Sequence, residues 1–139
     1  MDEQSTNDAA LLSLLERARQ AAGNAYAPYS GFRVGAALRL VGGGVVTGCN
    51  VENMSYGLTI CAERSALVSA VSQFGPEIRI EAAAVANLNQ AASPPCGACR
   101  QVLAEFILPD APVIFPAGDG ARVMAFRELL PMAFELKGN

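Results

Sequence analysis

Leu11, Leu12, Leu14, Leu15, Ala18 and Ala22 recur at helical spacing, with polar residues filling the gaps. The spacing predicts a first helix, with Asn7 or Asp8 as its cap and Gly23 and Asn24 as its stop. AYAPYSG then reads as loop, with Pro28 and Gly31 as breakers. FRVGAALRL alternates as a strand does, VGGG turns the chain back, and VVTGCNVEN reads as the partner strand of a hairpin. A second helix is expected from about Cys61 to Gln73, ended near Gly75 and Pro76. IRIEAAAVAN carries the apolar run of a buried strand. QAASPP is loop, and CGACRQVLAEFI is a helix that begins at its cysteines. PVIFPA, GDG and RVMA follow as strand, turn and short strand. FRELLPMAF closes the chain as a short helix broken by Pro131.

Strand–helix–strand connections imply parallel neighbours with helices on the sheet faces. The expected architecture is α/β, a five-stranded mixed sheet sandwiched between helices. No internal repeat and no Ser- or Pro-rich linker interrupts it, so residues 1–139 are expected to form one domain. Apolar residues make up 52% of the chain and charged residues 17%, an apolar share above that of most soluble domains. Either the core is well filled or partner subunits cover part of the surface.

The net charge is −3, and no run of Lys or Arg occurs. Proteins that track nucleic acid carry a basic stripe, so a polynucleotide partner is not expected and a small neutral ligand remains open. No apolar run reaches the length of a membrane span. MDEQSTNDAA lacks the basic start and apolar middle of a signal peptide, and a cytoplasmic location is expected. Thiols stay reduced there, so the four cysteines are expected to be free or metal-bound.

Cys96 and Cys99 stand in PCGAC, at a helix start, and Cys61 stands in CAE at another. Unpaired backbone N–H groups and the helix dipole favour a thiolate at such positions. Two helix starts could therefore aim three thiolates at one point. Three protein ligands with an open fourth position describe catalytic zinc, whereas structural zinc is normally closed by four. Glu63, two residues after Cys61, would then be a proton carrier and not a ligand. Other readings of the same residues stay open at this stage. The C-x-x-C could be a redox pair, although no thioredoxin-like context surrounds it. Cys61 could be a small core residue. Glu63 could be a first-turn carboxylate that complements the helix dipole. Cys49, at a strand end in TGCNVEN, could close a structural zinc site as its fourth ligand.

The pairing C-x-E with P-C-x-x-C is the signature of zinc-dependent nucleobase deaminases. The chain resembles the small cytidine deaminases of nucleoside salvage. The likeness runs from AYAPYSGFRVGAAL through GCNVENMSYGLTICAERSAL and PCGACRQVLAEF to ELLPMAF, most of the chain after the first helix. It implies a cytidine-deaminase-like three-layer α/β/α fold, a homotetramer and one zinc ion per subunit, held by Cys61, Cys96 and Cys99. It assigns Glu63 as the proton shuttle. It places Asn50 and Glu52 on the ribose hydroxyls, Phe32 against the nucleoside and the Ala62 backbone at the pyrimidine edge. Tyr56 and Phe134 match positions that help to complete a neighbour's pocket. Three thiolates overcompensate a divalent cation, and Arg64, directly after Glu63, is suited to withdraw some of that charge by donating to a thiolate.

The implied reaction is hydrolytic deamination of cytidine or 2'-deoxycytidine to uridine or 2'-deoxyuridine. Another cytosine nucleoside such as blasticidin S is the alternative substrate, since its deaminases share the cysteine and glutamate pattern. Without a basic cluster to hold phosphate, nucleosides are expected over nucleotides.

Overall fold

The computed structural model describes the backbone of residues 3–136 and the side chains of residues 8–136. Helix α1 spans Glu3–Ala22. Asn7 and Asp8 therefore lie inside it and do not cap it. Apolar spacing begins only at Leu11, so the polar first turns leave no periodic signal. The helix ends where expected, in tightened bonds from Gly23 N–H to Gln20 O (3.1 Å) and from Asn24 N–H to Ala21 O (3.0 Å).

Strands β1 (Val34–Leu40) and β2 (Val45–Cys49) form the expected antiparallel hairpin. Its turn puts Gly42 and Gly43 at φ +106° and +103°, a region that side chains rarely enter. Strand β2 stops at Cys49 rather than running to Asn53. Beyond it, Val51 exchanges two hydrogen bonds of 2.9 Å with Ile60. A 3-10 turn at Tyr56–Leu58 leads to helix α2 (Ala62–Phe74). Strand β3 (Ile80–Asn87), helix α3 (Gly97–Leu103), strands β4 (Pro112–Pro116) and β5 (Ala121–Ala125) and helix α4 (Phe126–Leu129) complete the order. Helices α3 and α4 are shorter than their apolar patterns suggest.

The five strands lie in the order β2-β1-β3-β4-β5. Only β3 and β4 are parallel, and every other pair is antiparallel. The expectation of parallel neighbours thus holds for the connection through α3. It fails for the one through α2, because β1 lies between β2 and β3. The hairpin occupies one edge of β1 and leaves the other free for β3.

Alternation along the strands builds two cores. Ala36, Leu38, Val85, Val113 and Phe115 point to one face, under Ala62, Ala66, Leu67 and Ala70 of α2 and Leu103 of α3. Ala37, Ala82, Ala84, Ala86 and Ile114 point to the other, under Leu11, Leu14 and Ala18 of α1. The sheet is therefore sandwiched between helices, as expected. Small side chains on β1 and β3 let the helices approach closely. The contact is tightest at two glycines. A Cβ on Gly35 would lie 1.9 Å from Ala18 O, and one on Gly48 would lie 2.4 Å from Ala66 N. Gly48 thus seats the first turns of α2 on the sheet, and those turns carry Cys61 and Glu63. Among the described residues, no helix is long and apolar enough to cross a membrane.

Candidate active site

Cys61 is the N-cap of α2 and Cys96 the N-cap of α3, both in extended backbone. Cys96 Sγ accepts the Cys99 N–H at 3.4 Å, so α3 starts on a sulfur cap. The sulfurs of Cys61 and Cys96 are 3.7 Å apart, and those of Cys96 and Cys99 are 3.1 Å apart. All three sulfurs lie within 4.8 Å of one another and form a group able to hold a metal ion. Neither Cys49 nor Glu63 joins that group. Cys49 follows Gly48, which faces α2, so strand alternation turns Cys49 towards α1. A zinc site closed by Cys49 as fourth ligand is excluded by this placement.

The sulfurs share protons unequally. The Cys61 thiol is lowered to about 5, chiefly by its hydrogen bond with Cys99 and further by Arg64. The Cys99 thiol is pushed the other way, by the same bond and by burial. Such a cluster gives up protons to a cation, and soft thiolates suit zinc. The residues present therefore fit a zinc ion. Arg64 Nη2 donates to Cys61 Sγ at 3.5 Å and to Thr59 O at 3.2 Å. The thiolate pulls the guanidinium pKa upward, so the contact is attractive from both sides.

Glu63 is 5% exposed. Burial raises its carboxyl above the usual range, and the charge of Cys61 adds to the effect. Hydrogen bonds from its own backbone, from Cys99 and from the backbone of Cys96 offset part of this. Glu63, Cys61, Cys96, Ala62, Phe32 and Asn50 line one cavity of about 230 Å³. A larger cavity of about 410 Å³ lies beside α1, but no thiol reaches it. The smaller one is lined by Glu63 and two of the clustered thiols.

The other expected residues are placed as follows. Asn50 is buried, its Oδ1 accepting from Val34 N–H (2.9 Å) and its Nδ2 donating to Phe32 O (2.8 Å). Glu52 does not line the cavity. Its carboxylate accepts from the backbone N–H groups of Tyr29 (3.0 Å) and Ser30 (3.2 Å) and from the Ser30 hydroxyl. Asn50 and Glu52 thus both serve the 29–34 segment, but at different points of it. Tyr56 and Phe134 are 78% and 70% exposed, and neither lines the cavity of its own chain.

Residues 9–114 match the family model described as the cytidine and deoxycytidylate deaminase zinc-binding region. A cytidine deaminase of Halalkalibacterium halodurans is 47% identical over 122 residues, covering 87% of this chain and 91% of that protein. The chain belongs to the cytidine deaminase family. A cytidine deaminase from Mycobacterium tuberculosis is 48% identical over 123 residues, covering 86% of this chain and 85% of that protein. The crystal structure of the Burkholderia pseudomallei cytidine deaminase superposes with a TM-score of 0.80 at 46% identity, covering 88% of this chain and 98% of that one. The zinc-binding region of this cytidine deaminase family member contains the three clustered thiols and Glu63.

Sequence reasoning missed several residues of the site. Val34, Thr59, Val85, Ser93 and Pro94 also line the cavity. Arg100 donates from Nε to Pro95 O and from Nη1 to Leu129 O, both at 2.8 Å, tying the segment before Cys96 to the end of α4. Its place one helical turn after Cys96 was the available signal. The bond to Leu129 gave none.

Proposed function

We propose that the chain catalyses hydrolytic deamination of cytidine and 2'-deoxycytidine at C4, giving uridine or 2'-deoxyuridine and ammonia. The observation that carries this reading is Glu63, a buried carboxyl of raised pKa beside three converging thiols in one small cavity. Cys61, Cys96 and Cys99 would hold one zinc ion. Bound there, zinc supplies a Lewis acid that lowers the pKa of a water towards neutrality.

Glu63 carries the protons. It accepts one from the attacking water and passes it to N3 of the ring, which makes C4 electrophilic. Water oxygen adds at C4. Glu63 then moves a proton from the new hydroxyl to the amine, and ammonia departs. Burial raises the Glu63 carboxyl, which favours its holding a proton between the two transfers. Arg64, donating to Cys61 Sγ, offsets the surplus charge of three thiolates on a divalent ion.

Phe32 packs against the nucleoside, and the Ala62 backbone meets the pyrimidine edge. Asn50 and Glu52 take sugar hydroxyls. Asn50 keeps one Nδ2 hydrogen for this, and Glu52 keeps unused acceptor capacity. Tyr56 and Phe134 complete a neighbouring subunit's pocket in a homotetramer. The whole chain, 1–139, acts as one domain in cytoplasmic pyrimidine salvage, on small molecules.

An ultraviolet assay of cytidine turnover, with zinc quantified per chain, tests the reading. Glu63→Gln should lower kcat about a thousandfold, on the scale of a lost general acid–base, while zinc stays bound. Near-normal turnover by that variant overturns the assignment.

A further inference from the structure

Phe32 is held from both sides. Its carbonyl accepts Asn50 Nδ2 at 2.8 Å, and its N–H donates to Ser30 Oγ at 2.9 Å. The Ser30 hydroxyl in turn donates to Glu52 Oε2. A hydroxyl has one proton to give, and here its direction is settled by the neighbours. The Phe32 N–H can only donate, so the proton of Ser30 goes to the carboxylate. That bond is the main reason Glu52 lies below the usual carboxylate range. An ionised Glu52 is acceptor-only.

Its lone pairs can be counted. A carboxylate offers about four acceptor positions. Oε1 takes the Tyr29 and Ser30 N–H groups, and Oε2 takes the Ser30 hydroxyl. About one position remains, on the oxygen that Ser30 orients. The backbone of Glu52 is fixed separately, by its N–H on Tyr26 O at 2.8 Å. Among the described residues, Ser30 is thus the one side chain bonded both to the Phe32 backbone and to the Glu52 carboxylate.

We infer that Ser30 is a positioning residue for sugar recognition, orienting the free lone pair of Glu52 towards a donor hydroxyl while setting the aromatic wall at Phe32. The inference rests on the deaminase reading and goes beyond it. It makes one serine responsible for the register between the sugar-binding and ring-stacking parts of the site.

The test compares wild type, Ser30→Ala and Ser30→Thr on cytidine and on 2',3'-dideoxycytidine, which offers no secondary hydroxyl. Zinc content and thermal midpoint are measured alongside. In Ser30→Ala the ratio of kcat/KM for cytidine over dideoxycytidine should fall about tenfold, mostly through KM, as expected for a lost hydrogen bond to a charged group. Ser30→Thr keeps the hydroxyl and should restore the ratio. An unchanged ratio, with both substrates hurt equally or neither hurt, overturns the inference. So does a Ser30→Ala protein that loses zinc or melts early, because the serine is then merely structural. A wild type that turns over neither substrate removes the deaminase reading itself, and this inference falls with it.

Discussion

The four cysteines do not share one environment, and the difference decides what each can do. Cys61, Cys96 and Cys99 converge, whereas Cys49 sits behind the sheet plane. Replacing any of the three by Ser should drop bound zinc well below one per chain, and Cys49→Ser should leave it unchanged, as read by metal analysis of purified protein. Arg64 tests charge balance. Arg64→Gln removes the donor from Cys61 Sγ and should cost about tenfold in kcat with zinc retained, in the range of lost partners behind metal ligands. The convergence of Cys61, Cys96 and Cys99 beside Glu63 was legible in the sequence because short spacings and helix starts coincide there. Ser30 was not, since it sits in a loop without periodic signal and its partner Glu52 lies 22 residues away.

At the level of elements, two glycines separate stability from catalysis. Gly35 and Gly48 both sit where a helix backbone presses on a strand. A methyl group at either should cost about 1–3 kcal/mol through overpacking. The consequences for turnover should differ. Gly48→Ala pushes on the turns of α2 that carry Glu63 and should reduce kcat in the protein that remains folded. Gly35→Ala pushes on α1, remote from the thiols, and should mainly lower the thermal midpoint. Calorimetry together with kinetics at low temperature distinguishes them. Every β-strand and α-helix was legible, from alternation, helical spacing, the apolar run of β3 and the breakers between them, but the 3-10 turn at Tyr56–Leu58 was not. The start of α1 was not, because its first turns are polar. The place of β1 between β2 and β3 was not, because periodicity within a strand carries no information about its neighbours.

The whole molecule leaves many large apolar side chains in solvent. Met54, Tyr56 and Leu58 cluster along the chain at 79%, 78% and 65% exposure. Near the other end, Met132, Phe134 and Leu136 are at 102%, 70% and 85%. Exposed apolar residues of this kind are what a surface covered by partner subunits would present, the second of the two readings that composition left open. Light scattering tests the homotetramer proposed above, with four chains per particle expected. Phe134→Ala and Tyr56→Ala should reduce cytidine turnover even though neither residue lines the cavity of its own chain. A panel of cytidine, 2'-deoxycytidine, cytosine, cytidine monophosphate and blasticidin S should show turnover of the first two and little of the rest.

The sulfurs of Cys61 and Cys96 are 35 residues apart in sequence, and between them run α2, β3 and the segment that leads into α3. An ion gripping both ends closes that stretch into a ring. By the chain-entropy relation for cross-links, a ring of this size restrains the unfolded chain by about 4 kcal/mol. Chelation should then do more than silence the enzyme. It should lower the melting temperature by roughly 10 °C and open the approach to Cys96 to proteases.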